Sequence, residues 1–152
     1  MARRILAVDV GARRVGLAIS DASATLARPL ETIAVASDAE AVDRVANRIT
    51  ALAREDDGLA AIVVGLPVRL DGSASDESSR VRAFIGALSR RTTLPIDVED
   101  ERLTSREAER RLAVSERDWR KRKQKLDAAA AAIILQDYLD RGGPGTPGGP
   151  GR

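Results

Sequence analysis

Three carboxylate positions, far apart in the chain, could together do chemistry: Asp9, the adjacent pair Asp100 and Glu101, and Asp127. Asp9 is set in Arg4-Ile5-Leu6-Ala7-Val8-Asp9-Val10-Gly11, a short apolar run that reads as a strand buried on both faces. An ionised carboxylate in such a strand is costly unless a cation or a set of donors meets it. Taken alone, Asp9 is explained as well by an acid capping its own turn. Asp100 and Glu101 leave a later apolar run, and strand alternation puts them on opposite faces, so one of the two can point at Asp9. Asp127 opens a helix, where an acid also complements the helix dipole. Three converging carboxylates repel one another unless cations hold them together, so a site built this way implies bound metal. Two divalent ions about 3.5–4 Å apart activate a water and stabilise the leaving oxygen in phosphodiester hydrolysis.

Composition narrows the chemistry further. The chain has no histidine and no cysteine. That removes the usual general base, the Ser-His-Asp arrangement, the thiolate nucleophile and the imidazole or thiolate metal site. Any metal must be held by oxygen, which favours Mg²⁺ or Mn²⁺ over zinc, copper or iron. At 152 residues the chain is expected to form one domain, with a core of Ala, Val, Leu and Ile because aromatics are only 2%. No run approaches the roughly 18 apolar residues of a membrane helix, and the N-terminus opens on a strand rather than a cleavable leader. A cytoplasmic protein without a membrane partner is expected.

The net charge of +2 says little, but its distribution says more. Arg117, Arg120, Lys121, Arg122, Lys123 and Lys125 stand against a single acid, Asp118, with Trp119 among them. Basic side chains neutralise phosphates, and an interleaved ring can stack on an unpaired base. The competing reading is a solvated loop or helix face that Trp119 anchors to the core. For Trp119 the anchor is preferred. Taken alone, the basic residues read slightly better as a solvated face; a binding role is preferred once the sequence motifs quoted below are counted.

The elements that must position these groups follow a regular order. Runs at 4–10 and 15–20 form a hairpin, and Arg28 to Val35 supplies a third strand. Ser37 and Glu40 make a capping box ahead of Val42, Val45, Ile49 and Leu52, an amphipathic helical stripe. Ala60 to Leu66 is a fully apolar strand stopped by Pro67, and a loop with Asp71-Gly72 follows. Val81, Phe84, Ile85 and Leu88 mark a second helix, Pro95 to Glu99 a fifth strand, and Thr104 with Glu107 a second capping box. Leu126 to Leu139 is the last helix, with five consecutive alanines that allow close approach to a sheet, although simple helix propensity explains them nearly as well. Three successive strands suit an antiparallel meander, and strands alternating with helices suit parallel pairing beside it. The fold class is therefore α/β, a mixed five-stranded sheet flanked by helices, in which Ile62–Val64 and Ile96–Val98 run parallel to an internal first strand. Residues 1–140 form the domain, and the Gly/Pro-rich residues 141–152 form a tail that cannot bury surface and is expected to be disordered.

Four segments, in order, resemble the YqgF family: Ala7-Val8-Asp9-Val10-Gly11 with Val15-Gly16; Val64-Gly65-Leu66-Pro67 with Asp71-Gly72; Asp100-Glu101-Arg102-Leu103-Thr104-Ser105; and Lys125-Leu126-Asp127-Ala128 leading into Ile133-Ile134-Leu135. The resemblance spans about residues 4–139. It implies a ribonuclease H-like fold, similar to Holliday-junction resolvases, and a nuclease maturing pre-16S ribosomal RNA. It further implies Asp9, Glu101 and Asp127 as the catalytic and metal-holding acids, with Arg102 beside the scissile phosphate. Arg120, Lys121, Arg122, Lys123 and Lys125 complete the expected substrate-binding set. The substrate would be pre-16S rRNA or branched DNA, taken by a monomer or homodimer. A non-catalytic rRNA-binding factor on the same fold is a further alternative. A sugar kinase or actin-like ATPase shares the Asp-x-Gly hairpin, but needs a second lobe that this length does not supply.

Overall fold

The computed structural model describes residues 3–67, 76–100 and 119–142, with the backbone alone over 119–127. Its elements are β1 (Arg4–Val10), β2 (Arg14–Ser20), β3 (Ala27–Ala34), α1 (Asp38–Ala53), β4 (Leu59–Leu66), α2 (Asp76–Ser89), β5 (Ile96–Asp100) and α3 (Trp119–Asp140). The strands lie in the order β3-β2-β1-β4-β5. β1 pairs antiparallel with β2 and parallel with β4, β2 pairs antiparallel with β3, and β4 pairs parallel with β5. The first strand is internal, as expected. Pro29, which cannot donate to a ladder, is accommodated on the edge strand β3, opposite a register shift between Leu17 and Ala18.

Both faces of the sheet are covered, which is why β1 and β4 are apolar at nearly every position rather than alternating. Leu6, Val8, Leu17, Ile62 and Val64 face α1 and α2, where they meet Val45, Ile49, Val81, Phe84 and Leu88. Ile5, Ala7, Ala18 and Val63 face the other way, against Ala131, Ile134, Leu135 and Tyr138 of α3. Small residues on both sides of that second interface let the helix settle close to the sheet. The Ser37 cap forms as read: its Oγ accepts the Glu40 N–H at 3.1 Å. In α1 the fully buried stripe is Ala41, Val45, Ala46, Ile49 and Leu52, with Val42 at its margin.

One boundary moves substantially. The last helix begins at Trp119, not Leu126, because the Arg, Lys and Gln residues between them are good helix formers and no breaker intervenes. The basic run from Arg120 to Lys125 is therefore helical backbone, continuous with the segment that packs on the sheet. The Asp71-Gly72 loop and the Thr104–Glu107 capping box lie outside the described residues.

Candidate active site

Asp9 follows Ile5 and Ala7 along one face of β1, so it stands on the face that α3 crosses. It is half-buried. Its antiparallel partner is Gly16. On the other side, Val8 pairs with Val64, and the next residue of β4 is Gly65, which pairs with Glu99. The Asp9 carboxylate therefore rises from the central strand between two positions that carry no side chain. Backbone ladders on both flanks fix where it rises, and the glycines leave lateral room beside it.

Strand β5 resolves which of its acids share that face. Tyr138 of α3 donates its hydroxyl to Asp97, and Arg141 donates to Glu99 Oε1 in an ion pair. Asp97 and Glu99 thus point toward α3, the side on which Asp9 stands. Asp100 has the opposite parity and pairs with Leu66, a residue of the α1 and α2 core. Asp100 and Asp9 are separated by the sheet.

Sequence reasoning passed over Glu99, although it is only 6% exposed. The available signal was its parity: Asp97 and Glu99 alternate with Ile96 and Val98, as inward-facing polar residues would. Burial pushes the Glu99 carboxyl above its ordinary value, against the pull of the Arg141 guanidinium, and the charges of Asp137 and Asp100 add to the rise. Below the ordinary glutamate pKa the group is protonated folded or unfolded, so nothing is lost; as pH rises past that value, the folded state alone resists ionisation and loses stability. Glu99→Gln is expected to melt higher than the parent at neutral pH, with the gap closing on acidification. Melting curves across the acidic range check this, and a gap independent of pH would contradict it.

The remaining expected site groups are reached only in part. Glu101 and Arg102 lie outside the described residues. Asp127, Arg120, Lys121, Arg122, Lys123 and Lys125 lie on the α3 backbone, with side chains outside the described set. Among the described residues no three acidic, histidine or cysteine side chains are grouped to hold a metal ion.

The RuvX family, described as Holliday junction resolvase, matches residues 3–141. The chain belongs to this family. Curated RuvX-like relatives agree along nearly the whole length. A protein of Pelotomaculum thermopropionicum named "Putative pre-16S rRNA nuclease" is 38% identical, covering 97% of each chain. One of Chloroflexus aurantiacus with the same name is 43% identical over 90% of this chain and 86% of its own. Another, of Levilactobacillus brevis, is 41% identical over 92% and 95%. In fold, the chain is similar to Thermus thermophilus RuvC solved in complex with a Holliday junction substrate, with a TM-score of 0.55, 16% identity, and 92% and 96% of the two chains covered. That likeness establishes the ribonuclease H-like architecture for this RuvX member.

Proposed function

We propose that this protein is a divalent-metal-dependent nuclease that cuts phosphodiester bonds in pre-16S ribosomal RNA during ribosome biogenesis. The observation that carries this reading is Asp9: a half-buried carboxylate at the centre of the sheet, between Gly16 and Gly65, on the face that α3 crosses. Asp9, Glu101 and Asp127 are the proposed acids. In sequence, Glu101 directly follows Asp100, the last residue of β5. Ala131, Ile134 and Tyr138, which follow position 127 by four, seven and eleven residues, are buried against the sheet, and this helical spacing supports Asp127 as the third acid.

These oxygen donors suit Mg²⁺ or Mn²⁺. When bound, such ions supply an activated water and charge neutralisation at the leaving oxygen. The chain's own part is to hold Asp9 on a rigid strand and to neutralise the reacting phosphate with Arg102. Arg120, Lys121, Arg122, Lys123 and Lys125 grip flanking phosphates. The nuclease domain is taken as residues 1–140; the tail 141–152 falls largely outside the described residues, although Arg141 is bonded to Glu99. Among the described residues no helix is long and apolar enough to cross a membrane, which accords with the proposed place of action, the cytoplasm.

The second reading is a resolvase of branched DNA, favoured by the family's description and by the RuvC likeness. Cleavage assays on a precursor 16S RNA end and on a four-way DNA junction, side by side with Mg²⁺, Mn²⁺ or chelator, separate the two. Metal-dependent cutting of the RNA is expected. Preferred cutting of the junction would move the assignment to the second reading, and binding without cutting of either would overturn both.

Alanine at Arg120, Lys121, Arg122 and Lys123 together should weaken RNA binding and flatten its salt dependence. On a single strand the log–log slope should fall by about 0.7 for each phosphate that is no longer neutralised. Turnover at saturating RNA should change far less. Binding by the quadruple variant with the parent's slope would refute the phosphate grip.

A further inference from the structure

Arg14 opens β2, one strand away from Asp9. Val15, Leu17 and Ile19 of β2 face α1 and α2, whereas Ala18 packs against α3. Arg14 and Gly16 therefore share the α3 face with Ala18, and with Asp9 across the ladder. Asp9 pairs with Gly16, so Arg14 is its diagonal neighbour on the side of the hairpin tip. Such diagonal positions lie about 7–8 Å apart, within reach of a long side chain. Gly16, between them, interposes no side chain.

The backbone here is pinned. The Gly11 N–H donates to the Arg14 carbonyl at 2.8 Å, and a Cβ on Gly11 would sit 2.8 Å from that same oxygen, so the turn requires glycine. On the other flank Arg14 pairs with Ala34, and the Val35 N–H donates to the Arg13 carbonyl at 2.9 Å. The Arg14 side chain thus starts from a fixed backbone origin, diagonal to Asp9 across the ladder. Its Nη1 is buried and has no hydrogen-bond partner among the described residues. A buried charged donor without an acceptor is rare in native folds and calls for an explanation, such as an acceptor that arrives from outside.

We propose that Arg14 binds a backbone phosphate of the nucleic acid, the one next to the reacting phosphate held over Asp9. The planar fork of a guanidinium matches phosphate geometry and carries its charge at every working pH. The proposal rests on the nuclease reading for its substrate class, but it is tested by binding, apart from cleavage.

The probe is a fluorescent single-stranded RNA oligonucleotide bound in chelator by the full-length protein. Parent, Arg14→Met and Arg14→Lys are compared across a salt series. Methionine keeps the apolar stem without the charge; lysine keeps the charge without the fork. Arg14→Met is expected to melt like the parent, bind about tenfold more weakly, and show a salt slope smaller by about one phosphate's share. Arg14→Lys is expected to keep the slope and bind at an intermediate strength. If Arg14→Met fails to fold, Arg14→Gln is read in its place. Equal affinity and slope in parent and methionine variant would overturn the proposal, and would leave the nuclease reading standing if metal-dependent cleavage is seen. Binding that depends on Arg14, with no cleavage in Mg²⁺ or Mn²⁺, would support the phosphate contact and overturn the nuclease. A parent that does not bind RNA at all would overturn the phosphate contact as proposed.

Discussion

Asp9→Asn is expected to reduce metal-dependent cleavage by about a thousandfold or more, the scale seen when a member of a catalytic group that acts as a unit is removed. Asparagine keeps the size of the side chain and one carbonyl oxygen, but not the charge that would oppose a divalent ion. Because Asp9 is only half-buried and its flanking residues in the sheet are glycines, the neutral amide fits without displacing a neighbour. The melting temperature should stay within about 3 °C of the parent, the shift that about 1 kcal/mol produces in a chain of this size. Single-turnover cleavage and a thermal melt on the same preparation check both halves. Retained cleavage by this variant would remove Asp9 from the mechanism. Lost cleavage in a protein that no longer melts cooperatively would point instead to a structural role.

Ile134→Ala is the second large effect, and it acts through the scaffold. Ile134 is fully buried, packed in one cluster with Ile5, Ala7, Ala18 and Val63 of the sheet. Truncating it removes buried methyl groups and leaves a cavity that two well-ordered elements cannot readily collapse around. The cost should be about 3 kcal/mol, a large part of the 5–15 kcal/mol that holds a typical domain together. At about 2–4 °C per kcal/mol, the melt should fall by roughly 9 °C. Leu26→Ala provides the contrast: that side chain is 66% exposed, and its loss should change stability by no more than about 0.5 kcal/mol. Because α3 also carries position 127, activity of Ile134→Ala should decline at temperatures where the parent is still fully active. A melt unchanged from the parent would mean that α3 does not depend on this packing.

The strands were legible because each is a short apolar run ended by Gly, Pro or a charged pair. Their order followed from the alternation of strands with helices. The internal place of β1 followed from its being apolar on both faces, since an edge strand would show a polar side. That same doubly apolar character hid which face Asp9 occupies. With Leu6 and Ala7 equally buried, periodicity gives no direction, and only the packing of α3 against Ile5 and Ala7 supplies one. The row from Asp9 through Gly65 to Glu99 was equally hidden, because it depends on the register of two parallel pairings between segments remote in sequence. The start of α3 was misplaced for a different reason. Charged residues without an apolar stripe give no helical period, so propensity carried the segment where the hydrophobic pattern was silent. For the acids, residue type and spacing indicated candidates, while parity in β5 separated Asp100 from Asp9.

The covering of β1 by α3 also bears on how the protein is made. The first described strand and the last described helix form one interface, so the face that bears Asp9 stays bare until synthesis has passed residue 139. Chains fold as they emerge, N-terminal parts first. The β1–β3 meander can form early, but it then presents Ile5, Ala7 and Ala18 to solvent. A chain cut short by a premature stop would keep Asp9 and lack its helical cover, an exposed sheet suited to aggregation or proteolysis. For the nuclease proposed above, this order of assembly would act as a safeguard: an unfinished copy, still attached to the ribosome that is making it, would lack the α3 packing beside Asp9.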